Sequence, residues 1–144
     1  MPALTLRNAQ KIIAAALKHG RDLGFKPLAV CVYDERGSLR ALAAEDGTSL
    51  KRAEIALGKA HGAIAMGISS RALAKAAAER PHFISAVTHA VGGLLVPVPG
   101  GVIIRDRRGE IAGAVGVSGD TSDNDEAAAV AGIEAAGLVA ETAA

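Results

Sequence analysis

The chain has 144 residues, with 16 basic and 15 acidic side chains and a formal net charge of +1. That length fits one domain with one core, residues 1–144, and the mixed charges leave no basic block or aromatic-basic interleaving of the kind nucleic acid requires. Half of the residues are apolar, which excludes a disordered polymer.

The apolar volume comes from Ala, Val, Ile and Leu; Tyr33, Phe25 and Phe83 are the only aromatic residues. Alanine-rich helix faces bury little area each, so contacts between subunits are expected to add to stability. No run approaches the roughly 20 apolar residues that span a bilayer. The start, MPALTLRNAQ, lacks a basic stretch followed by an apolar one, so no signal peptide and a cytoplasmic location are expected. Cys31 is the single cysteine, which rules out an internal disulfide and a multi-cysteine zinc site; it reads as buried packing.

Ala9, Ile12, Ile13, Ala16 and Leu17 recur at helical spacing and predict a helix over 5–19, ended by Gly20 and Gly24. LAVCVYD and SLRALAAED read as two strands of a hairpin around Glu35 to Gly37. Thr48 or Ser49 caps the next helix, whose stripe Ala53, Ala56, Leu57, Ala60 and Ile64 carries it to Met66 before Gly67. A shorter helix follows from Ser69 to Arg80, and PHFISAVTHA is a turn or helix before Gly92 and Gly93. LLVPV, VIIRD and EIAGAVGVS are predicted strands, the first two joined by a tight turn at Pro99-Gly100-Gly101. The last helix is predicted from Asp123 to Ala140. The order is α-β-β-α-α-β-β-β-α, and short turns make neighbouring strands antiparallel. The fold class is therefore α+β, a five-stranded antiparallel sheet with helices packed on it.

Four carboxylates, Asp120, Asp123, Asp125 and Glu126, follow the run GAVGVSG. A calcium loop would need glycine where Asp125 stands and glutamate where Ala131 stands; a phosphate loop would need a Lys-Ser or Lys-Thr pair entering the helix. Asp123 and Glu126 instead have the spacing of a capping box, with Asp123 as cap. Ser118 and Asp120, beside the Gly100-Gly101 turn, are candidates to line a small pocket, with Gly113, Gly116 and Gly119 leaving room near that strand.

Among the histidines, His19 reads as solvated at the end of the first helix. His61 sits at the edge of an apolar stripe, on one flank with Glu54. His82 and His89 share a helix face with Ser85 and Ala86, opposite Ile84, Val87 and Val91. No HExxH pattern accompanies them. The segment AAAVAGIEAAGLV has one charge, Glu134, so its helix is expected between the sheet and another subunit, with Gly132 and Gly137 admitting a close neighbour and Glu134 needing a partner. No Ser-His-Asp order or reactive-cysteine setting emerges.

Gly58-Lys59-Ala60, the turn Pro99-Gly100-Gly101-Val102, and the run Gly113 to Gly119 followed by Asp125-Glu126 and an alanine-rich helix together resemble the HbpS-like family. That family includes the GlcG proteins of glycolate operons and the C-terminal domain of PduO. The resemblance spans nearly the whole chain, although Ile103 stands where members often carry proline. It implies a profilin-like fold, homo-oligomers from dimer to octamer, haem binding and, in some members, haem degradation with iron release. Haem suits a pocket with apolar walls and an axial donor; His61 and His89 are the candidate ligands, with Lys59, Gly100, Gly101, Ser118 and Asp120 as candidate pocket residues. The alternative is a small-molecule enzyme or accessory protein of a catabolic operon, holding a small organic acid in the same pocket with Lys59, Asp120 and Asp123 as its polar groups.

Overall fold

The computed structural model describes residues 4–143. Its elements are α1 (Leu6–Asp22), β1 (Ala29–Asp34), β2 (Leu39–Ala44), α2 (Arg52–Met66), α3 (Ser70–Glu79), α4 (Pro81–Ala90), β3 (Gly101–Arg105), β4 (Ile111–Ser118), α5 (Ser122–Ala135) and β5 (Val139–Glu141). The five strands form one sheet in the order β2-β1-β4-β3-β5, antiparallel at every pairing.

Strand periodicity assigns the two faces of the sheet. Val30, Val32, Val102, Ile104, Val115 and Val117 point to the side covered by α1 and α5. Ala29, Cys31, Tyr33, Ile103 and Ala114 point to the side covered by α2. With both faces covered, every residue of β1 is buried. The two faces are built from different sizes of side chain. The first is a branched aliphatic core; the second is mostly alanine, because α2 lies so near the sheet that Gly116 has room for no side chain against the carbonyl of Ala56. This close approach accounts for the alanines of that face, Ala29, Ala56, Ala60, Ala63 and Ala114.

Three expectations need correction. LLVPV forms no strand. Pro97 and Pro99 remove ladder donors, and the segment lies instead across α2, where Gly58 and Gly62 make room for Val96 and Leu95 and the Val96 amide donates to the Gly58 carbonyl at 3.0 Å. The last helix stops at Ala135. Gly137, at φ +76, turns the chain, with amides of Gly137 and Leu138 donating to Glu134 and Ile133; the tail then adds β5 to the edge of β3. Finally, the close neighbour of α5 is α1 of the same chain. Gly132 abuts the Ile12 carbonyl, while Glu134 is exposed on the single chain.

α3 and α4 form a satellite around Leu73, Ile84 and Leu95. PHFISAVTHA is a helix with proline in its first turn. No helix among the described residues is long and apolar enough to cross a membrane.

Candidate functional site

Lys59 lies at the centre of the glycine turns and is not an open pocket group. It projects from α2 with its side chain 3% exposed. Its Nζ donates to the Val117 carbonyl at 2.9 Å and to Asp125 Oδ2 at 3.2 Å. A Cβ on Gly100 would lie 2.7 Å from that Nζ, and one on Gly101 would strike the Lys59 carbonyl. The space beside Gly100 and Gly101 is thus held by Lys59 itself. Ser70 closes the same corner: its Oγ accepts from the Gly101 amide at 2.6 Å. Burial holds the Lys59 ammonium below the ordinary lysine range, and the Asp125 carboxylate opposes that shift.

Asp125 passes the connection on. Its Oδ1 accepts from the Asp120 amide at 2.9 Å. The Asp120 carboxylate then gathers three donors: the Lys26 amide at 2.8 Å, the Thr121 amide at 2.9 Å and Asn124 Nδ2 at 2.7 Å. These bonds pull its pKa down to about 2. Asp120 therefore ties the β4–α5 loop to the segment entering β1. The helix cap is Thr121, whose Oγ1 accepts from the Asn124 amide at 3.2 Å, not Asp123. The cap lies one turn-position earlier because Thr121 has the extended backbone a cap requires. Asp123 and Glu126 both face Arg71 of α3, with Glu126 Oε2 3.0 Å from its Nε. Lys59, Asp120 and Asp123 are each engaged with protein partners and do not converge on one pocket.

The four histidines have four settings. His19 packs edge-on against Phe25, and its Nε2 is buried without a hydrogen-bond partner, so it is not solvated as expected. His82 and His89 lie exposed on α4, with Ile84 buried beneath, as their spacing predicts. His61 is half-buried. Its ring meets Tyr33 edge-on at 5.7 Å between centroids, and its Nδ1 lies 2.8 Å from the Leu94 carbonyl. A carbonyl accepts only, so Nδ1 carries a proton, and in the neutral ring Nε2 is the nitrogen with the lone pair. The ring lines a cleft of about 200 Å³ with Glu35, Arg36, Gly37, Ile64 and Ala65. Leu39, paired with Tyr33 across the ladder, is 47% exposed. His89 makes no ring contact with His61. Sequence spacing did not indicate the tether to Leu94, because it joins α2 to an irregular segment.

A second cleft of about 240 Å³ opens at the end of β4, lined by Lys26, Thr48, Ser49, Arg52 and Gly119. The sequence reading missed Arg52. Its guanidinium donates from Nε to Ser49 Oγ at 3.2 Å and from Nη1 to Ser118 Oγ at 3.3 Å, which is where Ser118 acts. Among the described residues, no three His, Cys, Asp or Glu side chains assemble as a metal-ligand set.

The antiparallel sheet in this order, with helices on both faces, defines a profilin-like α+β domain. The chain belongs to the HbpS-like family: the family model, described as haem degrading protein HbpS-like, matches residues 4–134. Among solved structures it is similar to HbpS, at 28% identity over 91% of this chain and 88% of that one, TM-score 0.78. Its fold is also that of a PduOC–haem complex, at 23% identity over 96% and 99%, TM-score 0.84. Klebsiella pneumoniae protein ORFY shares the fold as well, at 22% identity over 93% and 90%, TM-score 0.83. No curated protein matches the sequence.

Proposed function

We propose that this protein binds haem or a related tetrapyrrole, with His61 as the axial ligand. The observation that carries the reading is the family match over residues 4–134. The chemistry of His61 supports it. Metal-binding histidines commonly donate their second ring N–H to a backbone carbonyl, which fixes the tautomer and raises the basicity of the ligating nitrogen; His61 does this to Leu94. Ile64 and Ala65 offer apolar contact for the macrocycle, and Arg36, an exposed side chain 3.6 Å from Asp34 and next to Glu35, offers a cation for a propionate.

Bound haem would supply a redox-active iron; this chain's part is to hold the iron through Nε2 and to cover one ring face. The open cleft covers only part of a macrocycle, so a homo-oligomer is part of the proposal, with exposed His89 available to a neighbouring subunit. Haem breakdown and a cytoplasmic setting belong to the same reading.

Titrating purified apo-protein with hemin tests it. A saturable Soret shift at one haem or fewer per chain is expected, abolished by His61→Ala. Absence of any saturable shift overturns the function, and an unchanged shift in His61→Ala overturns the ligand.

A further inference from the structure

We propose that the cleft at Lys26, Thr48, Ser49 and Arg52 is a binding site for a small carboxylate, separate from the His61 cleft. Arg52 and His61 are nine residues apart on α2, about 13 Å along its axis and half a turn around it, and their clefts share no lining residue.

Arg52 is prepared for a ligand and lacks one from the protein. A guanidinium has five N–H donors. Here two are spent on the hydroxyls of Ser49 and Ser118, which hold the plane in position. No carboxylate of the described residues lies within ion-pair distance of Arg52; Arg7, Arg80, Arg107 and Arg108 also have none but are exposed, whereas Arg21, Arg36, Arg40, Arg71 and Arg105 each have at least one. The group is half-buried, so solvent screens it less than a free surface charge. Anchored on two sides, it has donors left for a forked contact with a planar anion.

Charge and size narrow the class. Arg52 and Lys26 bring two positive charges to the cleft. Asp120, which attracts Lys26, offsets one of them. The remaining single charge suits a monoanionic carboxylate better than a phosphate dianion. A volume of about 240 Å³ falls below the ~300 Å³ at which drug-sized sites begin, so the ligand is an acid of a few carbons. The Thr48 and Ser49 hydroxyls flank the site and are placed to meet a hydroxyl or carbonyl beside that carboxylate.

The test is an NMR titration of the full chain with acetate, lactate and inorganic phosphate, ionic strength held constant with chloride. The Arg52 Nε–Hε signal and the amides of Ser49 and Gly119 should move saturably with the carboxylates, and lactate should bind more tightly than acetate. Arg52→Gln should weaken binding at least about tenfold, as expected for loss of a charge-assisted hydrogen-bonded pair. Ser49→Ala, which frees one tether, should weaken it less while the parent spectrum is kept. Shifts no larger than with chloride, tighter binding of phosphate, or saturation retained in Arg52→Gln would each overturn the proposal. Hemin titrated onto Arg52→Gln should behave as on the parent. Loss of the Soret shift there would assign the guanidinium to a propionate and overturn the free-acid reading. The acetate and lactate arms stand whether or not the parent takes up haem.

Discussion

Replacing Lys59 by methionine removes one charge from a pair whose side chains are 3% and 1% exposed. Methionine can follow the path of the aliphatic stem, so the packing of α2 against β3 and β4 is largely kept. What is lost is a donor to two buried acceptors, Asp125 Oδ2 and the Val117 carbonyl. An orphaned buried acceptor costs about 1–3 kcal/mol, and breaking a buried ion pair from one side costs about 3–5 kcal/mol. The expected loss is about 3–5 kcal/mol, a large part of the roughly 5–15 kcal/mol that holds a domain of this size together. Asp125→Leu should cost a similar amount, for the complementary reason that an ammonium is left buried alone. The double variant Lys59→Met with Asp125→Leu should recover at least about 2 kcal/mol of the summed single losses, because neither charge remains. Urea unfolding at one fixed protein concentration measures all four species of the cycle. Asp125→Leu carries a further signature. Burial already lowers the Lys59 pKa, and without Asp125 nothing opposes it. The native pKa then falls further below that of the unfolded chain, so stability should rise as pH climbs towards the ordinary lysine value of 10.5, by at most ~1.4 kcal/mol per pH unit. Strict additivity of the two single losses, or a single-variant cost below about 1 kcal/mol, would refute the view of Lys59 as the buried tie between α2, β4 and α5.

Gly116→Ala should lower stability by about 1–3 kcal/mol or more, read as a shifted urea midpoint, since its Cβ would meet the Ala56 carbonyl and push α2 off the sheet. Cys31, whose thiol is raised by burial to about 12 and whose Sγ donates to the Ala56 carbonyl at 3.4 Å, should not react with a disulfide reagent in the native protein at pH 8 and should react fully in urea; rapid native labelling would contradict the packing of α2 on β1. Asp120 has a pKa of about 2 when folded against an ordinary value of 3.8, so the stability it contributes is complete above about pH 4 and is lost as pH falls towards 2. Thermal melts across that window should flatten in Asp120→Ala, and an unaltered acid profile would show that the three amide contacts add nothing to the fold.

Where side-chain periodicity reports a single face, the sequence was legible. The stripes of α1 and α2, the hairpin of β1 and β2, and the outward turn of His82 and His89 all follow from spacing within one element. The failures occur where the deciding partner is distant in sequence. LLVPV alternates like a strand, but its place is taken by β5, and only the prolines and the facing Gly58 and Gly62 hint at this. Gly132 was read as admitting a neighbouring subunit, whereas it is small for the sake of Ile12 of the same chain. Asp123 was read as the cap from its spacing to Glu126, whereas the extended backbone at Thr121 makes that residue the cap. Arg52 carried no motif at all. Its interest comes from the lack of a carboxylate neighbour, a property of the folded chain.

The residues that identify the family are thus not the residues with chemistry to spare. Gly100 and Gly101 accommodate Lys59, Gly116 accommodates α2, and Asp125 closes on Lys59 from α5. Together they fasten two helices, α2 and α5, and two inner strands, β3 and β4, which is a sufficient physical reason for a glycine turn, a glycine-rich strand and an acidic helix start to occur in one chain. Lys59 is buried with its ammonium held on two protein acceptors, and opening it to a ligand would first cost the pair. Ligand chemistry has to come from groups that the fold holds in place but leaves unsaturated. His61 meets that condition through Nε2, with Nδ1 anchored on Leu94. Arg52 meets it through its remaining N–H donors, with Ser49 and Ser118 as anchors. Both lie outside the residues that set the fold's close contacts, so relatives with the same turns are free to differ in what they bind.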